Sequence, residues 1–491
     1  MSSAAAASDD LASPARQLID GAWVDAVGGG RWDVIDPATE AVVASVPFGG
    51  AADALRAVAA AQRALPAWRA QTAYQRGDIL SRAAAILRER AAALARVTVR
   101  ESGKPLAEAT REWQIAGDLF EWFAEEGKRV YGHTIPPRAP GRRMMVLHEP
   151  IGVVGVITAW NFPAYNPARA VAAALGAGCT VVVRAAELTP LSAMAMAAVL
   201  QEAGLPAGVL ALVNGDPAAM GQAMLDHPAL RKISFTGSTR VGRLLMDGAS
   251  RTMTRLSLEL GGNAPVLILP DVDIEAVARA AVAARFRNAG QVCVCPQRFF
   301  VQQSRMAAFE EVVVEETRKL KVGSGFEPDV RVGPLASGRH RARVEELVAA
   351  ATAAGASVRT GGRRPPGRER GFFLEPTVLG DVRRDMGVFA EEVFGPLFAM
   401  TSYDQLDEAI ALANQTEFGL AAYVFTRDLG SAIRAWERLD FGMIGVNEWA
   451  PHATEAPFSG RKMSGCGHEA GREGLHDNLE TKLVSIGGIA P

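Results

Sequence analysis

Cysteine is scarce in this sequence, with four among 491 residues. A disulfide framework needs a much denser supply, so we expect a protein of the reducing cytoplasm rather than a secreted one. Neither charge sign dominates, because 52 Lys and Arg residues accompany 54 Asp and Glu residues. That balance argues against a nucleic-acid partner. The absence of any run of about 18 apolar residues argues against a membrane-spanning helix.

The first residues also lack the features of a signal peptide. Residues 1–16 contain no basic segment ahead of an apolar run, and two aspartates follow the alanines. We therefore expect a short disordered tail there.

Apolar residues, by contrast, make up 49% of the chain, enough for two or three domains at this length. Apolar residues at a helical period predict a mostly helical segment from residue 17 to about 131. From residue 152 onward, short valine-rich runs alternate with helical stretches, which indicates parallel sheets covered on both faces. A second alternating series begins near residue 263. The proline-containing segment 132–150 predicts an extended hairpin arm.

Two glycine-containing turns follow strands of the first series, where open α/β sheets place their ligands. In FTGSTRVG, Gly237 allows a tight turn, and Ser238 with the first helical N–H groups could hold a pyrophosphate. An ordinary glycine turn is the alternative. In LELGG, Glu259 could be a general base, or a surface acid before a turn.

Two further candidates carry an amide and a thiol. Asn161 of WNFP could donate to an oxyanion, although a loop asparagine is more often a turn former. Cys293 and Cys295 of CVC could be a metal half-site, a disulfide, or a nucleophile with a neighbouring thiol. A zinc site usually needs C-x-x-C spacing and a second pair, so we expect no metal.

Taken in order, these motifs resemble the aldehyde dehydrogenase superfamily. The motifs that carry the resemblance are WNFP, VVVRAAELTP, FTGST, LELGG, NAGQVC and EEVFGP. The resemblance implies NAD(P)-dependent oxidation of an aldehyde to an acid, on an α/β fold of three parts. These would be a Rossmann-type NAD-binding domain (17–131 and 151–262), a catalytic domain (263–445), and a β-hairpin oligomerisation arm (132–150 and 470–491). The arm implies a homodimer or homotetramer.

The resemblance also implies roles for individual residues. Cys293 is the nucleophile, Asn161 and the N–H of Cys293 stabilise the oxyanion, and Glu259 activates the water that hydrolyses the thioester. The cofactor would be bound by Trp160, Arg184, Glu187, Gly237, Ser238, Glu392 and Phe394. Glu187 favours NAD because a carboxylate repels a 2′-phosphate. Arg184 replaces the usual lysine and can pair with a phosphate, so NADP is the alternative.

Two arginines predict the substrate class. Arg169 and Arg287 resemble those of the succinate-semialdehyde dehydrogenase branch, which hold the distal carboxylate of the substrate; ordinary surface salt bridges are the alternative. The loop near the C terminus departs from that branch, with Pro451, His452 and Ala453 in place of an Ile-Ser-Ser run. His452 could contact substrate, or it could be an exposed loop histidine.

Aromatic residues leave a second substrate class open. Trp160, Phe286, Trp449 and Phe458 could shape a pocket for a neutral or aromatic aldehyde, with Trp449 as a bulky wall. A non-catalytic scaffold of the same fold is a hypothesis of another class. For Cys295, the C-V-C resemblance prompts the hypothesis of a reversible disulfide with Cys293; a small buried filler is the alternative.

Overall fold

The N-terminal part of the computed structural model, which describes residues 15–488, begins with strands and continues with helices. Four short strands come first: β1 (Gln17–Ile19), β2 (Ala22–Val24), β3 (Arg31–Ile35) and β4 (Val42–Pro47). Four helices follow: α1 (Ala51–Ala70), α2 (Ala73–Glu89), α3 (Ala91–Ser102) and α4 (Leu106–Glu126). The prediction of a mostly helical segment was therefore wrong for its first thirty or so residues, because strands of three to six residues are too short to show a period. The predicted tail lies outside the described residues except for its last two positions.

An antiparallel hairpin and a βα series come next. The hairpin consists of β5 (His133–Ile135) and β6 (Arg143–Pro150). The series consists of β7 (Val153–Ile157), α5 (Tyr165–Ala177), β8 (Thr180–Arg184), α6 (Pro190–Glu202), β9 (Leu210–Val213), α7 (Pro217–Asp226), β10 (Leu230–Thr236), α8 (Thr239–Ala249) and β11 (Arg255–Glu259). All residues of β7, β8 and β9 are buried, as expected for strands covered on both faces.

The second series has the same alternation. Its first half comprises β12 (Ala264–Ile268), α9 (Ile274–Phe286), β13 (Pro296–Gln302), α10 (Met306–Arg318), α11 (Gly338–Ala353), β14 (Ser357–Thr360) and β15 (Thr377–Gly380). Its second half comprises α12 (Gly387–Ala390), β16 (Leu397–Tyr403), α13 (Leu406–Asn414), β17 (Phe418–Gly419), β18 (Ala421–Phe425), α14 (Leu429–Arg438) and β19 (Met443–Val446). The chain then forms β20 (Arg461–Lys462), β21 (Gly465–Cys466), α15 (Gly471–His476) and β22 (Leu479–Ile486).

Three sheets account for most of these strands. The eight-stranded sheet has the order β2-β1-β9-β8-β7-β10-β11-β21, with a parallel centre, and the seven-stranded sheet has the order β14-β15-β16-β13-β12-β18-β19. In the third sheet, β6 lies between β5 and β22. The predicted fold class, a Rossmann-type sheet, a second α/β sheet and a hairpin arm, is confirmed. Within residues 15–488, no helix has the length and apolar character required to span a bilayer.

The register of the first sheet explains where its functional motifs lie. Ile157 at the end of β7 is opposite Arg184 of β8 and Phe235 of β10, and Thr236 is opposite Glu259 of β11. The carboxyl ends of these four parallel strands therefore meet at one edge, which is where a ligand binds in such sheets.

Candidate active site

Cys293 lies on a turn that follows a strained loop. Asn288, Ala289 and Gly290 have φ values of 48°, 54° and 73°, a left-handed conformation that is unfavourable for residues with a side chain. A Cβ at position 290 would clash with the carbonyl of Gly395, so only glycine fits there. Left-handed residues in succession are rare outside functional sites, and here they aim the turn that carries the thiol.

The thiol of Cys293 opens onto two cavities. The first, of about 200 Å³, contains most of the residues expected at the cofactor and the chemical step: Trp160, Asn161, Gly237, Ser238, Glu259, Cys293, Glu392 and Phe394. The second, of about 280 Å³, contains Arg169, Arg287, His452 and Phe458 together with Cys293. Cys293 can therefore contact one molecule bound in the first cavity and another bound in the second.

The side chain of Asn161 is held in one orientation. Its Nδ2 donates to the carbonyl of Gln291 at 3.0 Å, and its Oδ1 accepts from Asn166 Nδ2 at 3.2 Å. The nitrogen therefore faces the cysteine loop, and its second N–H remains available for an oxyanion formed at Cys293.

Burial has the largest effect on the pKa values of Cys293 and Glu259. It raises the pKa of the Cys293 thiol to about 12, while Arg169 acts in the opposite direction. Burial also raises the pKa of Glu259 well above its ordinary range, and Arg169 again opposes it. Neither carboxyl oxygen of Glu259 has a hydrogen-bond partner within the described chain. A carboxyl group of this kind is a strong base once it loses its proton.

The first cavity fits a nicotinamide dinucleotide. The rings of Trp160 and Phe394 meet edge to face with centroids 5.5 Å apart, which offers flat apolar walls. Glu392 accepts a 3.0 Å hydrogen bond from the N–H of Gly262, and burial raises its pKa to about 7 although part of the side chain faces the cavity. Ser238 is the N-cap of α8, so a helix N-terminus faces the same space.

Arg184 and Glu187 lie outside both cavities. They form an ion pair of 2.9 Å at the end of β8, and Arg184 also donates to the carbonyl of Gly215 at 2.9 Å. The guanidinium is buried, whereas the carboxylate of Glu187 is 39% exposed. At this position the carboxylate is the accessible charge, and the guanidinium already has partners.

The second cavity is lined by Arg287, an arginine that has no ion-pair or hydrogen-bond partner among the described residues. The side chain of Arg287 makes no ion pair or hydrogen bond with any residue between 15 and 488, and its guanidinium lies 5.8 Å from the ring centroid of Phe162. Glu108 lines the same cavity; burial raises its pKa, and the charges of Lys104 and Arg287 lower it. Arg287 is therefore available to a bound anion.

Arg169 is in a different situation. Its side chain is 1% exposed, and its Nε lies 2.5 Å from Glu469 Oε2. Its guanidinium carbon lies 5.1 Å from the ring centroid of Tyr165 and 4.1 Å from that of Phe458. Burial lowers the pKa of Arg169, but the charges of Glu469, Tyr165, Glu259 and Cys293 together outweigh it, so the net shift is upward. The charge expected to hold a substrate carboxylate is thus neutralised by Glu469, although Nη1 has no partner in the described part of the chain.

Comparison with known proteins accounts for this arrangement. The pattern of the family described as "Aldehyde dehydrogenase family" matches residues 23–484. The chain belongs to the aldehyde dehydrogenase family.

Several relatives at substantial identity are named as semialdehyde dehydrogenases. The glutarate-semialdehyde dehydrogenase of Pseudomonas aeruginosa is 44% identical over 96% of this chain and 97% of its own length. The NADP(+)-dependent succinate-semialdehyde dehydrogenase of Escherichia coli is 45% identical, with the same coverage. The crystal structure of succinate-semialdehyde dehydrogenase from Burkholderia pseudomallei superimposes with a TM-score of 0.95 at 45% identity, covering 98% of this chain and 99% of that one. The predicted resemblance is confirmed.

Among the three positions that depart from the succinate-semialdehyde pattern, His452 lines the second cavity of this aldehyde dehydrogenase. His452 packs edge-on against Phe458 and Tyr165, with ring centroids 6.0 and 6.5 Å away, so it is not an exposed loop histidine. Burial, followed by the charges of Arg287 and Arg169, lowers its pKa to about 4. At neutral pH the imidazole is uncharged.

Two aromatic residues do not lie where the alternative pocket required them. Trp449 packs on Phe425 with centroids 4.2 Å apart and lines a separate cavity with Cys295. Phe286 is buried in the core against Phe398. The expectation that Trp449 forms a wall of that pocket was wrong, because its ring packs towards the strands of the second sheet and lines neither cavity beside Cys293.

Cys295 and Cys293 are both free thiols with different surroundings. Cys295 is 6% exposed; its Sγ lies 2.8 Å from Arg285 Nη1 and 3.3 Å from the Arg285 carbonyl. The Cys295 N–H donates to the Val292 carbonyl at 3.0 Å, so the loop between the thiols is a tight turn. A disulfide would require Cys295 to leave Arg285.

Sequence reasoning missed several residues of the site. His340 and Arg343 line the cofactor cavity from the first two turns of α11, and a Ser-capped helix start rich in basic residues was an available signal. Tyr165 lies one helical turn before Arg169 on α5, so spacing could have found it. Glu469 offered no such signal, because it reaches Arg169 from 300 positions further along the chain.

Proposed function

We propose that this chain oxidises an aldehyde carrying a distal carboxylate, a semialdehyde, to the corresponding dicarboxylic acid, with NAD as the hydride acceptor. The observation that carries the proposal is that Arg287 has no ion-pair or hydrogen-bond partner within residues 15–488 and lines a cavity together with Cys293. A buried or half-buried cation without a partner is costly, and a carboxylate matches its donors in geometry and charge. The named activities of the relatives agree with an anionic aldehyde.

The residues around Cys293 support a covalent route. The thiolate adds to the aldehyde carbonyl, and the negative oxygen accepts hydrogen bonds from Asn161 and from the N–H of Cys293. The cofactor, when bound, supplies the acceptor for the hydride that leaves the former carbonyl carbon. The resulting thioester is attacked by a water whose proton passes to Glu259, and the acid leaves as the thiolate is regenerated.

Without bound cofactor, the pKa of about 12 keeps the Cys293 thiol protonated at neutral pH. Within residues 15–488, Arg169 is the cationic side chain that opposes this shift, and Glu469 holds that guanidinium in place. We infer that the ion pair positions Arg169 to favour the thiolate, leaving Arg287 to anchor the substrate.

NAD is proposed as the preferred cofactor because of Glu187. Its exposed carboxylate would accept hydrogen bonds from adenosine ribose hydroxyls and repel a 2′-phosphate. Arg184, the residue that could favour NADP, is engaged by Glu187 and Gly215. The NADP(+)-dependent relative shows that the other preference occurs at this level of identity.

We also propose a homodimer or homotetramer assembled through the arm. The sheet of β5, β6 and β22 exposes apolar side chains, namely Leu147, Leu483 and Ile486. Light scattering after size exclusion would give the number of subunits. A cytoplasmic location remains a prediction, and it agrees with the need to keep Cys293 reduced.

The test is an aldehyde panel assayed by NADH or NADPH formation. Succinate semialdehyde, glutarate semialdehyde, butanal and benzaldehyde separate the effects of charge, length and aromatic character. We expect the highest kcat/KM for a carboxylated aldehyde with NAD. A preference for butanal or benzaldehyde would overturn the semialdehyde assignment and favour the neutral-aldehyde alternative.

A further inference from the structure

A buried ion pair lies directly behind the turn that carries Asn161. Lys104, in the loop between α3 and α4, and Glu112, on α4, are 1% and 3% exposed at their side chains, and Nζ lies 2.5 Å from Oε2. The ammonium also lies 4.2 Å from the ring centroid of Phe162. Removing two charges from water is costly, so such a pair is a poor device for stability alone.

The pair holds both ends of the turn from Asn161 to Tyr165. Lys104 Nζ donates to the carbonyl of Asn161 at 2.9 Å. Glu112 Oε1 accepts from the N–H groups of Ala164 and Tyr165 at 2.8 and 3.0 Å. These N–H groups begin α5, whose N-cap residue has no capping side chain. Glu112 therefore caps the helix, while Lys104 fixes the residue that precedes it by one turn.

The same carbonyl of Asn161 links the turn to the cysteine loop. Asn288 Nδ2 donates to it at 3.0 Å and to the carbonyl of Gln291 at 3.3 Å, and Gln291 in turn accepts from the Asn161 amide. The distance between the oxyanion donor and Cys293 thus depends on backbone atoms that Lys104 contacts. An error of about 1 Å in such a donor can cost on the order of 100-fold in rate.

We propose that Lys104 and Glu112 form a positioning pair that sets the place of the Asn161 amide relative to Cys293. Lys104 lines neither cavity beside Cys293, and Glu112 lines the second one. The pair acts on the oxyanion through Asn161. This inference rests on the oxyanion role of Asn161 in the proposed function.

The test is a double-mutant cycle between Lys104→Met and Asn161→Ala, with kcat measured at saturating cofactor. Each single change is expected to lower kcat by about 100-fold, since an oxyanion donor contributes roughly 100- to 1,000-fold. The double variant is expected to be no slower than Asn161→Ala, because the positioned group is already absent. KM for the aldehyde should stay within about threefold. If Lys104→Met does not fold, Glu112→Gln, which retains an oxygen for the α5 N–H groups, enters the same cycle.

The matched control is Arg298→Met. Arg298 is also a buried cation, donates to the carbonyls of Asn263, Leu412 and Ala413, and lines neither cavity beside Cys293. In the double variant, any fold loss of kcat caused by Arg298→Met should multiply with the fold loss caused by Asn161→Ala.

Alkylation of Cys293 by iodoacetamide gives a readout without cofactor. It should proceed at the wild-type rate, within about threefold, in Lys104→Met. The positioning role would be overturned if the kcat losses of Lys104→Met and Asn161→Ala multiply in the double variant. It would also be overturned if the alkylation rate and kcat fall together in Lys104→Met. Near-normal kcat in Asn161→Ala would instead refute the oxyanion step of the proposed function, and the positioning role with it.

Discussion

Replacing Arg287 by methionine tests the origin of the preference for an acidic aldehyde. The guanidinium has no partner in the described chain, so its removal leaves no protein charge uncompensated except that of the nearby Glu108, whose pKa burial already raises. A hydrogen bond between charged groups contributes about 1.5–3 kcal/mol. Since 1.4 kcal/mol corresponds to a factor of ten, kcat/KM for the best carboxylated aldehyde should fall about 10- to 150-fold.

The assay compares this aldehyde with an uncharged one of equal chain length. For the uncharged aldehyde, kcat/KM should change by less than about threefold, because no charge pair is lost. Arg111→Ala is the matched control: Arg111 lines the same cavity but is exposed, and its hydrogen bond to Gln114 is 3.4 Å long. It should leave both substrates nearly unaffected.

Arg169→Met should behave differently from Arg287→Met. It leaves Glu469 buried without its partner, and breaking a buried pair costs about 3–5 kcal/mol. Thermal stability and the turnover of both aldehydes should fall together. Equal losses for charged and uncharged aldehydes in Arg287→Met, or a charge-selective loss confined to Arg169→Met, would refute the division of roles between the two arginines.

Three further predictions concern the base, the cofactor and the second thiol. Glu259→Gln should release a burst of about one NADH per active site and then turn over slowly. The rate of the wild-type enzyme should rise with pH through the raised pKa of Glu259. If Glu259→Gln keeps this rise, Glu259 is not the base. Glu187→Ser should free Arg184 and raise kcat/KM for NADP by at least about tenfold, since like charges in contact cost several kcal/mol; an unchanged ratio of NAD to NADP use would count against Glu187 as the selecting residue. Cys295→Ala should lose the thiol-reversible part of peroxide inactivation, and inactivation that thiols still reverse in this variant would show that no Cys293–Cys295 disulfide is involved.

The strand and helix pattern illustrates what a local signal can predict. The valine-rich runs at β7 and β8 are strands because buried parallel strands need apolar residues on both faces, a property that is visible in a few residues. The N-terminal strands β1 to β4 had no such signal. They are short, and β1 and β2 become strands by pairing at the edge of a sheet whose other members lie far along the chain.

The sequence by itself determined the family and predicted which residues surround the chemical step. Short motifs such as NAGQVC and LELGG predict the roles of Cys293 and Glu259, because the turns that present these side chains are built from adjacent residues. What each arginine does was decided only by the tertiary structure. Arg169 is neutralised by Glu469, whereas Arg287 has no ion-pair or hydrogen-bond partner in the part of the chain that the structure describes. A charge is available or occupied according to its neighbours in space, and the decisive neighbour of Arg169 comes from the opposite end of the chain.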